Sequence, residues 1–499
     1  MSITFGTEAE FRPGGSAISI SVAVLGADKF VVAFRDLSDS GHGKAKVGTV
    51  SGSTIAFGAE TVFHSASAIY FLSAAALSAT QFVVAYRDAD YNCRAKIGTV
   101  SGTDITFGTA SLLTSLGTTA ISVAALSSSK FVVAYEGTSN NGTANVGTVS
   151  GTAIVFGAAT EFQTGGTNGF FAAALSDSQF VVAYSDAGDS SHGTAKMGTI
   201  SGTSITFGAE TEFLAANGAY VISAAALSST KFVVVYNDGT DSYHGTAKVG
   251  TVSGTSITFG AEAEFLAVNG VTYVSIAALG DSKFIVTYTD GSDADHGTAK
   301  VGTVSGTSIT FGAEAEFLAA NGATWVFVAA LSSTNFVVAY QDNSDSGHGT
   351  AKIGSLPTAW TVEPSDSISL SDSKSAMAGS SRSDSVSLSD VATPVLTHTY
   401  IVDVASDPSG ATVSASPNDE NGNGNGTTPF SRRYADGAGV TLTAPAKSGN
   451  RVFLEWRDGG GNTLSSSRAL GVTVAGAGTY TAHYEFVGDS ADDYLVASP

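Results

Sequence analysis

Residues 271–317 read VTYVSIAALGDSKFIVTYTDGSDADHGTAKVGTVSGTSITFGAEAEF, and this stretch decides the architecture. Four strand-like runs follow one another: VTYVSIAAL, KFIVTYTD, GTAKVGTV and SITFGAEAEF. The first is rich in Ala and Ser (Ser275, Ala277, Ala278), the second is nearly all apolar, and the fourth alternates Phe with Glu. An unbroken apolar run suits a strand covered on both faces, and alternation suits a half-wet edge. The segments between the runs, GDS, GSDADH and SGT, are made of residues that favour turns. Four strands in about 50 residues is the size of one β-propeller blade.

The unit recurs seven times. The motif F-[VI]-V-x-[YF] starts at Phe30, Phe82, Phe131, Phe180, Phe232, Phe284 and Phe336. A second marker, [IV]-x-F-G, has its Phe at Phe5, Phe57, Phe107, Phe156, Phe207, Phe259 and Phe311. The copies are out of phase with the chain, which opens on a fourth-type run, Ser2 to Phe11. The seventh copy stops after a third-type run near Ile353, followed by Ser355-Leu356-Pro357. The opening run can therefore complete the last unit. The reading is all-β: a seven-bladed β-propeller over residues 1–357, closed by the N-terminal strand. Closure removes two open sheet edges. A linear solenoid, the alternative, calls for atypical capping units in place of this offset.

After Pro357 the composition changes. Ser365-Asp366-Ser367-Ile368-Ser369-Leu370-Ser371-Asp372 is echoed over 383–390, too polar to build a core, so 358–395 reads as a Ser/Asp-rich linker or stalk. It resembles the Ser-Asp spacers of microbial surface proteins. Residues 396–488 carry six alternating runs, among them HTYIVDVAS, GVTLTAPA, RVFLEWRD and TYTAHYEF, which predict a small β-sandwich. Through Phe453, Trp456, Gly459 and Tyr484 this stretch is similar to the Ig-like modules of bacterial surface proteins, the InlB B-repeat-like group, which implies a spacer or adhesion role. Residues 489–499 are left as a C-terminal tail.

A net charge of −21 with no Lys/Arg cluster argues against nucleic acid and anionic membranes as partners. No run reaches the roughly 18 apolar residues of a membrane helix. One cysteine, Cys93, permits no internal disulfide and no cysteine zinc motif. The opening residues lack the basic and apolar regions of a secretory signal. P-loop, dinucleotide, G-x-S-x-G and H-E-x-x-H signatures are missing from the sequence, so no enzyme is expected.

Three groups of residues are candidates for binding. The loop between the second and third runs carries Asp-x-x-Asp-x-x-His-Gly in five units: Asp36/Asp39/His42, Asp186/Asp189/His192, Asp238/Asp241/His244, Asp290/Asp293/His296 and Asp342/Asp345/His348. These groups read either as divalent-cation ligands, Ca2+ among them, or as Asx turns with a packed histidine. The second group is Tyr70, Phe170, Tyr220, Tyr273 and Trp325, at the starts of first runs, on the same face as the loops. Aromatic rings beside carboxylates suit carbohydrate, whereas the same rings can simply fill gaps between blades. The third is Asp419, Asn421 and Asn423, the first half of a D-x-N-x-N-G calcium loop with Phe430 where the bidentate Glu belongs.

The Phe-Val-Val-Ala-Tyr and Gly-Thr-Ala-Lys-Val-Gly-Thr-Val-Ser-Gly arrays resemble those of marine bacteriophage structural proteins and bacterial surface proteins. That resemblance implies a non-catalytic fibre, spike, decoration protein or adhesin at a virion or cell surface. Its partners would be a surface glycan or protein receptor and other structural proteins of a particle. The alternative is a purely architectural spacer.

Overall fold

The computed structural model describes residues 2–115, 119–215, 218–267, 270–319 and 322–357, and then 399–407, 411–416, 426–435, 439–448, 451–473 and 478–486. The chain divides into an N-terminal part, 1–361, and a C-terminal part, 362–499. The expected linker at 358–395 and tail at 489–499 lie outside the described residues.

In the N-terminal part the quoted stretch folds as Val271–Gly280, Lys283–Asp290, His296–Ser305 and Ser308–Phe311, hydrogen-bonded in that order into an antiparallel sheet. The fourth run is not a single strand. It breaks after Phe311, and Ala315–Leu318 rejoins the same third strand with Glu316 opposite Thr298. In the preceding unit the break falls at Gly260, where a Cβ would overlap the carbonyl oxygen of Thr307 in the next unit's turn. Only glycine lets the chain pass its neighbour that closely.

Units two to six form five such sheets. Units seven and one share a nine-stranded sheet because one strand, Ala9–Gly26, serves both. Its first half pairs with the third strand of unit seven (Ala9↔Ala351, Glu10↔Thr350) and its second half with the second strand of unit one (Val22↔Val32). Thr4 and Phe5 pair with Ser355 and Gly354. The opening segment thus takes, in unit seven, the place of the fourth run.

The cores lie between units. Phe284, Ile285, Val286, Thr287 and Tyr288 are fully buried. Because strand side chains alternate, Phe284 and Val286 join unit-five residues such as Val233 and Phe265, while Ile285 joins unit-seven residues such as Phe336. The cluster between units seven and one holds Phe11, Val22, Phe30 and Val32 with Val337, Ala339 and Ile353. Serines, three of them buried, tie first strands together: Ser21, Ser73, Ser122 and Ser275 accept from the backbone N–H of Ala74, Val123, Ala172 and Val328 in the following unit, at 3.0–3.1 Å. Buried polar groups of this kind persist because they are satisfied.

In every unit but the second, a glycine at the start of the third strand lies under an outer phenylalanine. At Gly245 a Cβ would strike the ring of Phe265. Unit two carries Cys93 at this position and Leu113 in place of the ring, so the two positions change size together.

In the C-terminal part, Phe430–Ala435, Thr399–Asp407, Gly478–Phe486, Arg451–Asp458 and Lys447–Ser448 form one sheet, with Thr463–Ser465 paired to Arg451–Asp458. Gly426–Thr427, Thr412–Ser416, Gly439–Thr443 and Ala469–Thr473 form the other. Trp456, Tyr484 and Val404 from the first sheet and Val413, Leu442 and Val472 from the second share one core.

Phe11 is fully buried, its ring centroid 5.1 Å from that of Phe34 and 5.9 Å from that of Phe57. Phe11→Ala is expected to destabilise the N-terminal part by about 3–5 kcal/mol in denaturant unfolding. Val155→Ala, at a side chain 67% exposed, is expected to change stability by less than about 0.5 kcal/mol.

Candidate functional site

In every unit but the third, where Glu136 stands, the loop between second and third strands opens on a buried aspartate. Asp186 Oδ1 accepts from the backbone N–H of Gly188 (2.9 Å) and Asp189 (3.2 Å). Asp36, Asp238, Asp290 and Asp342 accept in the same way from Ser38, Thr240, Ser292 and Ser344 at 2.9–3.0 Å. In units one, four and seven the aspartate caps a single 3-10 turn. These five carboxylates are spent on the turn, which sets the path of the loop.

The second aspartate and the histidine instead meet a glutamate from the outer strand. The clusters are Asp189–His192–Glu212, Asp241–His244–Glu264, Asp293–His296–Glu316 and Asp345–His348–Glu10, with the candidate ligand atoms of each within 4.8 Å of one another. His192 Nδ1 lies 3.2 Å from Glu212 and 3.4 Å from Asp189. His244 Nδ1 lies 3.4 Å from Asp241 and 3.7 Å from Glu264. The register Thr246↔Glu264 delivers the glutamate from twenty residues downstream of the histidine. The sequence reading missed these four glutamates; their recurrence two residues after another Glu in every such unit was the available signal. Two carboxylates and an imidazole nitrogen can hold a divalent cation.

The four clusters are not equivalent. The backbone N–H of Gly14 donates to His348 Nε2 at 3.0 Å. His348 therefore carries its proton on Nδ1, which lies 3.4 Å from Glu10 and 3.2 Å from Asp345. No such donor reaches His192, His244 or His296 among the described residues.

Unit one solves the same charge problem internally. It keeps Asp39 and His42 but has Val62 in place of the glutamate and Lys44 in place of the usual threonine. Lys44 Nζ sits 2.9 Å from Asp36, 2.7 Å from Asp39 and 2.7 Å from Glu60, and Arg12 Nε pairs with Asp36 at 2.8 Å. Burial works against the Lys44 charge, but the bonds to Asp39, Glu60 and Asp36 outweigh it and hold the ammonium above its ordinary value. The Lys44 bond holds the Asp39 carboxyl below its own. In unit two Arg94 Nε pairs with Asp88 at 2.7 Å, and in unit three Asn141 donates to Glu161 at 3.0 Å.

First strands begin against the preceding unit's loop: the N–H of Ala219 donates to Ser191 and that of Ala323 to Asp295, both at 3.1 Å. Tyr273 and Trp325 meet there, ring centroids 5.6 Å apart. Both residues hold left-handed backbone (φ 47° and 52°) at a bulge in their strands, a conformation that is strained for bulky side chains. Tyr220 lies 6.3 Å from Tyr243, and both are exposed. Tyr70 is sandwiched by the guanidinium groups of Arg35 (4.2 Å) and Arg87 (4.7 Å). Phe170 does not join them. The bulge residue in its strand is Gly169, which turns Phe170 into the core beside Phe162 at 5.8 Å. Tyr243 was missed because it was counted as loop; it directly precedes His244 in sequence. Asp419, Asn421 and Asn423 lie outside the described residues.

The clusters pair carboxylates with imidazoles and hold no Ser, Thr or Cys among the described residues. No helix among these residues is long and apolar enough to cross a membrane. No family model matches the sequence, and no curated protein does. Among solved structures, AofleA from Arthrobotrys oligospora matches at 10% identity with a TM-score of 0.41, covering 64% of this chain and 94% of that one. Sqt1 from Chaetomium thermophilum matches at 13% identity and TM-score 0.42, covering 67% and 83%. A mutant Aleuria aurantia lectin in complex with Fucα1-6GlcNAc matches at 16% identity and TM-score 0.38, covering 63% and 99%. The expected kinship with bacteriophage and virion proteins is thereby corrected, since these matches are fungal, non-viral proteins.

Lys44→Met should cost about 3–5 kcal/mol near neutral pH, because it strips the cation from three carboxylates, one of them fully buried. Asp39 is held below its usual 3.8, so its share of the pairing is present above that value and is lost as the pH falls through its depressed value. The gap between wild type and variant in denaturant unfolding is therefore expected to narrow in acid.

Proposed function

We propose that residues 1–357 form a closed seven-bladed β-propeller whose loop-bearing face binds carbohydrate, followed by a linker at 358–395 and an Ig-like sandwich at 396–488 that act as a spacer. Closure is supported by the pairing of Thr4–Phe5 and Ala9–Glu10 with unit seven and by the shared core around Phe11. One observation carries the binding reading: the half-buried rings of Tyr273 and Trp325 lie 5.6 Å apart, tilted by 49°, where their first strands begin. An aromatic pair beside acidic loops fits a platform for the C–H face of a sugar, with loop carboxylates taking its hydroxyls. Tyr220 and Tyr243 offer a second platform next to the Asp241–His244–Glu264 cluster.

The clusters serve that face by fixing its loops. Ca2+, the expected ion, takes oxygen ligands. A histidine nitrogen in each set favours a borderline ion such as Zn2+ or Mn2+. A glycan or glycoprotein at a cell surface is the partner such a face would meet.

A glycan array is expected to show saturable binding that Trp325→Ala and Tyr273→Ala each weaken by about tenfold or more, without loss of thermal stability beyond about 3–5 kcal/mol. Wild-type protein that binds no glycan would leave the architectural reading in its place. Calorimetric titration with Zn2+ is expected to saturate at the units four, five and six clusters, with Glu264→Gln removing one site. The double variant Lys44→Thr/Val62→Glu is expected to add one in unit one.

A further inference from the structure

Units four to seven share a second polar device on the third strand. Lys196, Lys248, Lys300 and Lys352 each donate to a carbonyl oxygen of the preceding unit (Phe162, Phe213, Phe265, Phe317) at 2.5–2.7 Å. Each also pairs with a glutamate, Glu210, Glu262, Glu314 or Glu8, at 3.1–3.3 Å. In units five to seven a buried tyrosine adds its hydroxyl: Tyr236, Tyr288 and Tyr340 donate to that glutamate at 3.3–3.5 Å. Ammonium, phenol and carboxylate satisfy one another.

Unit three has lost both ionic members together. Asn145 replaces the lysine and Ala159 the glutamate. Tyr135 then donates to Asn145 Oδ1 at 2.9 Å, and Asn145 Nδ2 to the Gly157 carbonyl at 2.8 Å. The site is neutral and closed.

Unit two has lost only one. Lys96 and Tyr86 remain, but Ala110 stands where the glutamate belongs. The result is a cleft of about 560 Å³ that reaches both groups. Lys96 forms no hydrogen bond or ion pair with any described residue, and burial alone pushes its ammonium below the ordinary value. Tyr86 has turned to His64 Nδ1 (3.3 Å), whose Nε2 meets Ser67 Oγ (3.2 Å). Burial likewise pushes His64 down, toward the neutral form. Two acids line the cleft. Asp88 is held by Arg94 and by the N–H groups of Asp90 and Asn92, and Asp90 is exposed at the loop. The uncompensated charge inside is the Lys96 cation.

We propose that this cleft binds a small carboxylate, seated where the side chain of a glutamate lies in the other units and held by Lys96 and the Tyr86 hydroxyl. The missing side chain fixes the class of ligand. A carboxylate already fills this position beside the lysine in four sister units, and in three of them the tyrosine hydroxyl donates to it as well, so the geometry has precedent within one molecule. The space left by Ala110 extends past the carboxylate position to His64, Ser67 and Asp90, which suits a hydroxyl-bearing body such as that of a sugar acid. The proposal stands apart from the aromatic face and does not rest on it.

Saturation-transfer NMR and thermal-shift titrations of the full chain with acetate, galacturonate, galactose and inorganic phosphate test it. Both carboxylates are expected to bind saturably, galacturonate the tighter, while galactose does not displace them. Ala110→Glu, which restores the sister arrangement, is expected to raise Tm and abolish carboxylate binding. Lys96→Asn is expected to weaken binding by about tenfold or more, and Trp325→Ala to leave it unchanged. Absence of carboxylate binding, undiminished binding in Ala110→Glu, sensitivity to Trp325→Ala, or phosphate binding as tight as galacturonate would each overturn the assignment. Ala110→Glu keeps the test valid if Lys96→Asn fails to fold.

Discussion

One antiparallel pairing supports much of the N-terminal part: residues 4–12 against His348–Ser355. Without it the third strand of unit seven would present open backbone groups, the liability that sheet edges carry. The same pairing brings Phe11 over Gly349 and into the core with Phe34. It also brings Glu8 to Lys352 and Tyr340, and Glu10 to His348 and Asp345. A dozen residues therefore supply edge protection, core volume and two charge networks. Every one of these is supplied within a neighbouring stretch of chain in the other units, and only here across more than 330 residues.

The strand plan was legible because its signals are local. Seven copies of F-[VI]-V-x-[YF] report a strand buried on both faces, and the offset between chain start and last copy reports where the opening run must go. What escaped depends on register or on a neighbouring unit. The fourth run broke at positions such as Gly260 because the next unit's Thr307 carbonyl lies in the way, a fact no single repeat contains. Phe170 aligned with Tyr220 and Trp325 by eye, yet a glycine at the bulge sends it inward. The cluster glutamates stand twenty residues from their histidines and are joined only by strand pairing.

In the loop motif, spacing alone does not separate the residue that serves the turn from those that face outward. Asp-x-x-Asp-x-x-His looks like three equivalent donors. Burial separates them: the first aspartate faces backbone N–H groups of its own turn, and the second, on the turn's exposed side, faces the imidazole. A buried carboxylate without donors is costly, so the turn claims the first one wherever the motif occurs. The Asx turn belongs to the first aspartate, while the second aspartate and the histidine, joined by a glutamate, form the groups that could hold a cation.

Departures from the repeat carry more information than the repeat itself, because most of them are compensated. Gly and Phe become Cys93 and Leu113 together; Lys and Glu become Asn145 and Ala159 together. Where Glu is lost at Val62, Lys44 arrives to hold the remaining carboxylates. These exchanges preserve two quantities, volume in the core and charge at the third strand, which are the two that folding penalises most when left unbalanced. Lys96 breaks the pattern. Its partner is gone, no described residue has replaced it, and an open cleft has taken the vacated volume. A retained half-buried cation with no counter-charge among the described residues is unfavourable for folding alone, and that imbalance is what a ligand from solution would relieve.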